Sequence, residues 1–387
     1  MEKKIFFIAQ GIPLNSRGIS GGDKRWLELV RFILNKKKDT KVNVFTSSGG
    51  VKTLQDQNLK VNNAYDLHKS NIKGRLIFFI LTFKSFFFNP KNYPELNKSI
   101  IYSAHELLFD VLLALKCKWF FKEKIKWVAI VHWVPPTPFW TRKNSTFFNS
   151  LFFYLNQRLS MFLINKFADK ILTYKTNLPK LKFIKKDDIR LKIVNCGLHF
   201  NMSKKFLEKD NKKFYDAIFI GRVQEIKGIY DLINVWNEIC KEDPKKKLVI
   251  LGEGIDKRDV EKKVEELNLK ENVFFTGYLK DSFEPLNYLS KSKIFLFPSY
   301  EEAWAIVIGE AMAMRVPVVA YDLPELVTVW GKNVYFAKTG DKKQLKNNFL
   351  ELVNNKVVYE KYSKNAFEFV KKYEWEKIFE EETKYYI

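Results

Sequence analysis

Apolar runs of strand length alternate with helix-length periodic segments along the whole chain, and this alternation leaves few folds open. In the first half the runs are residues 5–9, 42–46, 99–103, 127–131, 170–173 and 192–194. In the second they are 217–220, 248–251, 273–276, 294–297, 316–320 and 334–336. Strands buried on both faces read as continuous apolar runs, so the pattern predicts parallel sheets covered by helices, the α/β class. Between the halves, residues 199–215 are polar, lysine-rich and aperiodic, and they read as a linker. At roughly 150 residues per domain, a chain of 387 residues holds two or three domains, in agreement with two successive α/β units.

Composition adds a partition of charge. The chain is 46% hydrophobic, too rich in core-forming residues for a disordered protein, and carries a formal net charge of +23. Residues 1–200 hold 35 Lys+Arg against 13 Asp+Glu, whereas residues 201–387 hold 32 against 31. Phenylalanine follows the same asymmetry, with 22 of 35 in the first 200 residues. An excess this large suggests an anionic partner for the first half: nucleic acid, anionic lipid or a phosphorylated substrate.

Cys117, Cys196 and Cys240 lie far apart without a CxxC, which supports neither a disulfide framework nor a zinc knuckle and fits a reducing, cytoplasmic setting. The apolar run near the N-terminus stops at Gln10 without a cleavage site, so it reads as a first strand rather than a signal peptide. The longest apolar stretch, 76–88, contains Lys84 and Ser85 and falls short of the roughly 18 to 20 residues that span a bilayer.

Three segments carry candidate chemistry. Gly18, Gly21 and Gly22 separate the first strand from a helical pattern, where bare backbone N–H groups and a helix dipole can face a ligand; a surface loop explains the same spacing. After the strand 217–220 come Gly221, Arg222, Lys227 and Gly228, cations and glycines at the carboxyl edge of a sheet, suited to clamping a diphosphate. Gly252 and Gly254 follow the next strand in the same position. In the third segment a strand ends at Pro298, and Glu302 precedes an apolar stretch that holds Glu310. A carboxylate in such surroundings needs donors, for which ribose hydroxyls are suitable.

The Glu302-x7-Glu310 spacing, with the following Ala-Met-Ala and Pro-Val-Val-Ala, resembles the retaining GT-B glycosyltransferases of the GT4 family. Gly221-Arg222 with Lys227-Gly228, Gly252-Glu253-Gly254, Asn272 through Gly277 and the terminal Tyr-Glu-Trp-Glu-Lys extend the likeness over residues 215–387. In the first half it rests on Gly21, Gly22, Arg25, His132, the stretch 168–171 and Asn195-Cys196-Gly197. The resemblance implies an acceptor-binding Rossmann-like domain over 1–200, a nucleotide-sugar-binding one over 212–369, a cleft between them, and a last helix, about 370–387, returning to the first. It further implies that Arg222 and Lys227 neutralise the donor diphosphate and that Glu310 holds the ribose. Glu302 would contact the donor sugar, His132 would lie beside it, and Gly21 and Gly22 would face diphosphate and acceptor, with Gly221 and Gly252 giving the backbone room. Cations replace a DxD-type metal site, so no metal or other cofactor is expected beyond a UDP- or GDP-sugar donor. The resemblance also implies that the leaving phosphate would accept the acceptor's proton and that configuration would be retained.

Departures from the family pattern are Ala303-Trp304-Ala305 where Gly-Phe-Gly is common, Arg315 in place of a glycine, and His199 near a usually acidic position. Stretches 76–88 and 147–163 are unusually apolar and read equally as core or as an interfacial surface beside Lys84 and Lys91. With the basic excess, this suggests a glycan or lipid-linked acceptor met at an anionic membrane, the protein being peripheral on the inner face. The rivals are a GT-B protein that binds a nucleotide sugar without turning it over, and a nucleic-acid-binding protein. Nucleic acid is disfavoured because no recognised binding motif is present.

Overall fold

The computed structural model describes residues 2–12, 20–68, 75–135, 147–182, 184–185, 187–208, 212–279, 281 and 283–387. Gly18, part of the first glycine loop, lies outside the described residues, as do the side chains of Phe147 and Asn149 in the second apolar stretch. The chain divides into two compact units, Met1–Asn195 with Trp375–Ile387, and Cys196–Glu374.

The first unit is built on strands β1 (Lys3–Ala9), β2 (Thr40–Thr46), β3 (Asn63–Asp66), β4 (Ser99–Ser103), β5 (Ile125–Val131), β6 (Lys170–Thr173) and β7 (Leu191–Ile193). They form a parallel sheet in the order β3-β2-β1-β4-β5-β6-β7. Around it lie helices α1 (Gly21–Lys36), α2 (Ser48–Asp56), α3 (Arg75–Phe87), α4 (Leu108–Phe121) and α5 (Phe147–Phe167). Residues Ile5 to Ala9 are fully buried, as a central parallel strand requires. Strand β3 is missing from the sequence reading: Asn63-Ala64-Tyr65-Asp66 sits at the sheet edge, largely exposed, with no apolar run to announce it.

The second unit begins with α6 (Phe200–Leu207), followed by strands β8 (Tyr215–Ile220), β9 (Leu248–Leu251), β10 (Val273–Gly277), β11 (Ser292–Phe297), β12 (Val318–Tyr321) and β13 (Tyr335–Ala337). The order is β10-β9-β8-β11-β12-β13, again parallel. Its other helices are α7 (Ile229–Glu242), α8 (Lys257–Glu266), α9 (Glu284–Ser290), α10 (Ile306–Ala313), α11 (Pro324–Trp330), α12 (Lys342–Asn354) and α13 (Lys356–Val370). The segment expected to be a linker is therefore partly helix. Phe200 of α6 packs on Phe367 at 5.2 Å, and the Leu198 N–H donates to the Tyr373 carbonyl, so the segment is folded into the second unit.

Helix α14 (Trp375–Thr383) belongs to the first unit. Phe379 rests on Phe32 of α1 at 5.9 Å, and Glu382 pairs with the fully buried Arg25. The Arg25 guanidinium also donates to the Tyr102 hydroxyl at 3.1 Å and the Asn195 carbonyl at 3.3 Å. Its carbon stands 5.4 Å from the Phe379 ring centroid. Arg25, grouped by resemblance with the glycines of the site, thus fastens the chain's last helix to α1.

Candidate active site

In open parallel sheets, ligands bind outside the carboxyl ends of the strands where the strand order reverses. That reversal falls between β8 and β11 in the second unit and between β1 and β4 in the first, and each carries a polar cluster.

In the second unit the loops leaving β8, β9 and β10 are tied together by their backbones. The Gly221 N–H donates to Leu251 O at 3.0 Å, the Val223 N–H to Glu253 O at 3.0 Å and the Gly252 N–H to Gly277 O at 2.9 Å. Gly252 has φ +138°, and a Cβ there would lie 2.0 Å from the Gly221 carbonyl oxygen, so no other residue keeps this approach. Gly228, at φ +70°, starts α7, and its Cβ would meet the Pro298 carbonyl at 1.7 Å. The loop after β8 therefore lies directly against the loop after β11.

This closeness brings Lys227 and Glu302 together. Lys227 Nζ donates to Glu302 Oε1 at 2.6 Å and to the Glu301 carbonyl at 2.7 Å, while Ser299 Oγ donates to the same carboxylate oxygen at 2.9 Å. The two charged side chains are 13% and 11% exposed. An ammonium has three N–H donors, of which these contacts use two. Arg222 stands exposed on the loop following β8, and Glu310 is buried in α10. Glu302 itself lies ahead of α10, in the loop rather than on the helix.

The departure at 303–305 has a clear structural outcome. Ala305 adopts φ +56°, the left-handed region that costs an alanine about 1–2 kcal/mol, so the turn keeps a glycine-like backbone. Trp304 turns into the core against Trp330 at 4.6 Å and Tyr373 at 5.2 Å, and its carbonyl accepts from Trp330 Nε1 at 3.1 Å.

In the first unit, α1 opens with a capping box: Ser20 Oγ accepts from the Asp23 N–H at 3.1 Å, and Asp23 Oδ2 accepts from the Ser20 N–H at 3.3 Å. A Cβ on Gly22 would lie 3.2 Å from the His132 ring and 3.5 Å from that of His105, so the helix start rests on two imidazoles. His105 bridges Asp23 at 3.1 Å and Asp110 at 3.3 Å. Asp110 Oδ1 accepts from Gln10, through its N–H at 3.1 Å and its Nε2 at 3.2 Å. Burial disfavours the His105 imidazolium, but hydrogen bonds and charge from the two carboxylates outweigh it and push the group up to about 10. Burial likewise opposes the Asp23 carboxylate, yet His105, Ser20 and Trp26 hold it at about 2.

His132, expected beside the donor sugar, has both ring nitrogens engaged. Nε2 donates to the Ala104 carbonyl at 2.9 Å, which fixes the tautomer, and Nδ1 accepts from the Tyr174 hydroxyl at 2.8 Å. Its main-chain N–H donates to Glu106 Oε2 at 3.0 Å. Burial, then the charges of His105 and Arg25, hold its ring neutral, down to about 3. Acting as a proton carrier would require one of these bonds to be given up. Sequence reasoning missed His105, Asp23, Asp110 and Ser299; the position of His105, two residues beyond the end of β4, was the available signal. Among the described residues, no group of three or more His, Cys, Asp or Glu side chains is arranged to hold a metal ion.

Two doubly wound parallel sheets of this kind give the chain the GT-B fold. The structure of Anabaena Alr3699/HepE in complex with UDP and glucose superposes with a TM-score of 0.72 over 99% of this chain and 98% of that one, at 15% identity. Residues 201–369, most of the second unit, match the family described as Glycosyl transferases group 1. A poly(glycerol-phosphate) alpha-glucosyltransferase of Bacillus subtilis is 29% identical over 163 residues, 41% of this chain and 24% of that protein. A poly(ribitol-phosphate) alpha-N-acetylglucosaminyltransferase of Staphylococcus aureus is 33% identical over 165 residues, 42% of this chain and 33% of that protein. The chain thus spans about a quarter and about a third of the length of these two curated relatives.

Proposed function

We propose that the chain is a retaining, metal-independent glycosyltransferase that moves a sugar from a UDP- or GDP-linked donor to a hydroxyl of a glycan or lipid-linked acceptor. We place its action at an anionic membrane surface on the cytoplasmic side. The observation that carries this reading is the Lys227–Glu302–Ser299 cluster at the strand-order reversal of the group 1 domain. The names of the two relatives and the UDP-bound structural neighbour support it.

In this reading Lys227 and Arg222 stabilise the negative charge that gathers on the diphosphate as the bond from the anomeric carbon to the phosphate oxygen breaks. Glu302, held by Ser299, faces the sugar carbon as positive charge develops there, and Glu310 accepts from the ribose hydroxyls. Gly221 and Gly252 let the diphosphate approach the backbone. The acceptor hydroxyl attacks from the face the diphosphate leaves and passes its proton to the departing phosphate, so the configuration is kept. Acceptor binding is assigned to the first unit, at Gly21 and Gly22.

A thermal-shift panel of UDP- and GDP-sugars, followed by measurement of released nucleoside diphosphate, tests the reading. A true donor at 100 times its Kd stabilises by about 2.7 kcal/mol. Absence of both a shift and diphosphate release across the panel overturns it.

A further inference from the structure

Helix α3, Arg75-Leu-Ile-Phe-Phe-Ile-Leu-Thr-Phe-Lys-Ser-Phe-Phe87, is apolar nearly all the way round, a composition that ordinarily belongs to a buried helix. Only one side is buried: Phe78 and Leu81 pack with Leu108 and Phe109 of α4. The opposite side leaves Phe79, Phe83, Phe86 and Phe87 in the open, Phe83 being 65% exposed. The surface continues onto α5, where Phe152 lies 4.8 Å from Phe79 and Leu155, Leu159 and Phe162 stand exposed beyond it. The end of α4 adds Phe120 and Trp119, the latter 59% exposed, and an open cleft of about 500 Å³ between Phe87 and Trp119. Single exposed phenylalanines are ordinary; a joined surface of this kind across three helices marks an interaction site.

The charge on the same helices narrows the occupant. They carry Lys84, Lys116, Lys118, Arg158 and Lys166, and their single acidic residue, Asp110, is fully buried against Gln10 and His105. Lys118 is engaged by Asp169. The Lys116 ammonium lies 5.6 Å from the Phe86 ring centroid and that of Lys166 lies 5.9 Å from Phe162, cations set beside exposed rings. A second copy of the chain would bring the same lysines face to face across a two-fold axis. No helix among the described residues is long and apolar enough to cross a membrane.

We infer that the α3–α4–α5 face of the first unit docks on an anionic phospholipid bilayer, its aromatic rings at the boundary of headgroups and acyl chains and its lysines on lipid phosphates. This deepens the membrane-surface part of the reading above by naming the surface, and it is tested apart from the donor chemistry.

The test is co-sedimentation of the full chain with phosphatidylglycerol vesicles and with phosphatidylcholine vesicles. The unaltered chain should pellet with the first and not the second, and Phe83→Ser/Phe87→Ser should weaken binding roughly 100-fold, as expected from the lost apolar burial. Both positions are more than half exposed, so the fold should survive, as circular dichroism checks. Acyl chains brominated near the headgroup should quench the unaltered chain more than Trp119→Phe. Equal binding to both vesicles, equal binding by the double variant, or a dimer in sedimentation velocity that the double variant abolishes would each overturn the inference. UDP binding, followed in the same variants, should not change; its absence in every form would count against the donor reading and leave the docking face standing.

Discussion

The Lys227 ammonium and the Glu302 carboxylate lie 2.6 Å apart in the loops that leave β8 and β11, with Ser299 donating to the same carboxylate oxygen. Two largely desolvated charges held in this way stabilise a fold weakly but are well placed to respond to a third. An arriving diphosphate competes with Glu302 for the ammonium, and the carboxylate repels it. Glu302→Gln should therefore bind UDP as tightly as the unaltered protein or up to about tenfold more tightly, while turnover falls by about 10²–10³. Titration calorimetry with UDP, set beside initial rates, checks both halves.

Arg25 and Glu382 form another desolvated pair, and here no substrate role is expected. Arg25→Ala should destabilise the first unit by about 3–5 kcal/mol, because the Glu382 charge is left buried beside Tyr102 and Tyr386. Replacing both, as Arg25→Met/Glu382→Leu, should restore much of that loss. Urea denaturation of the unaltered chain and the two variants decides the matter.

The Asp23–His105–Asp110 bridge gives a pH signature. His105 is raised in the folded protein, from 6.5 to about 10, so its stabilising contribution is complete below about 6.5 and is lost as pH rises through about 10. Asp23 is depressed to about 2, so its contribution is present above about 4 and lost as pH falls through about 2. The Tm difference between the unaltered chain and His105→Asn should shrink from pH 6 toward pH 10. A difference independent of pH across that range would show that His105 is not charged in the fold.

Ala305 holds φ +56° immediately before α10. Ala305→Gly should relieve that strain and, after the greater chain entropy glycine brings to the unfolded state, stabilise by roughly 0.5–1 kcal/mol. A shift in the denaturation midpoint at constant m-value measures it.

Much of this molecule was legible in its sequence, for reasons particular residues show. The parallel core strands announce themselves because both faces of residues such as Val44 and Phe45 are buried, which forces unbroken apolar runs. Edge strand β3 has no such requirement. The segment 199–215 looked like a linker because Lys204, Lys205 and their neighbours mask the few residues, Phe200 among them, that α6 buries. Lys227, Glu302 and Glu310 could be singled out because local spacing carries them. His105, Asp23 and Asp110 come from three separated positions and meet only through the strand order. The role of Arg25 in holding the last helix was hidden for the same reason: its partner lies 357 residues away.

Lys227 is the residue through which the second unit is proposed to bind a nucleoside diphosphate sugar. The most direct measurement is titration of the unaltered chain and of Lys227→Ala with the UDP- or GDP-sugar selected by the thermal-shift panel, each followed by its rate of diphosphate release. With the diphosphate held by Lys227, the unaltered chain should bind saturably, and Lys227→Ala should lose about tenfold or more in binding with release reduced about 10²–10³. Equal affinity and equal release in the two proteins would contradict it.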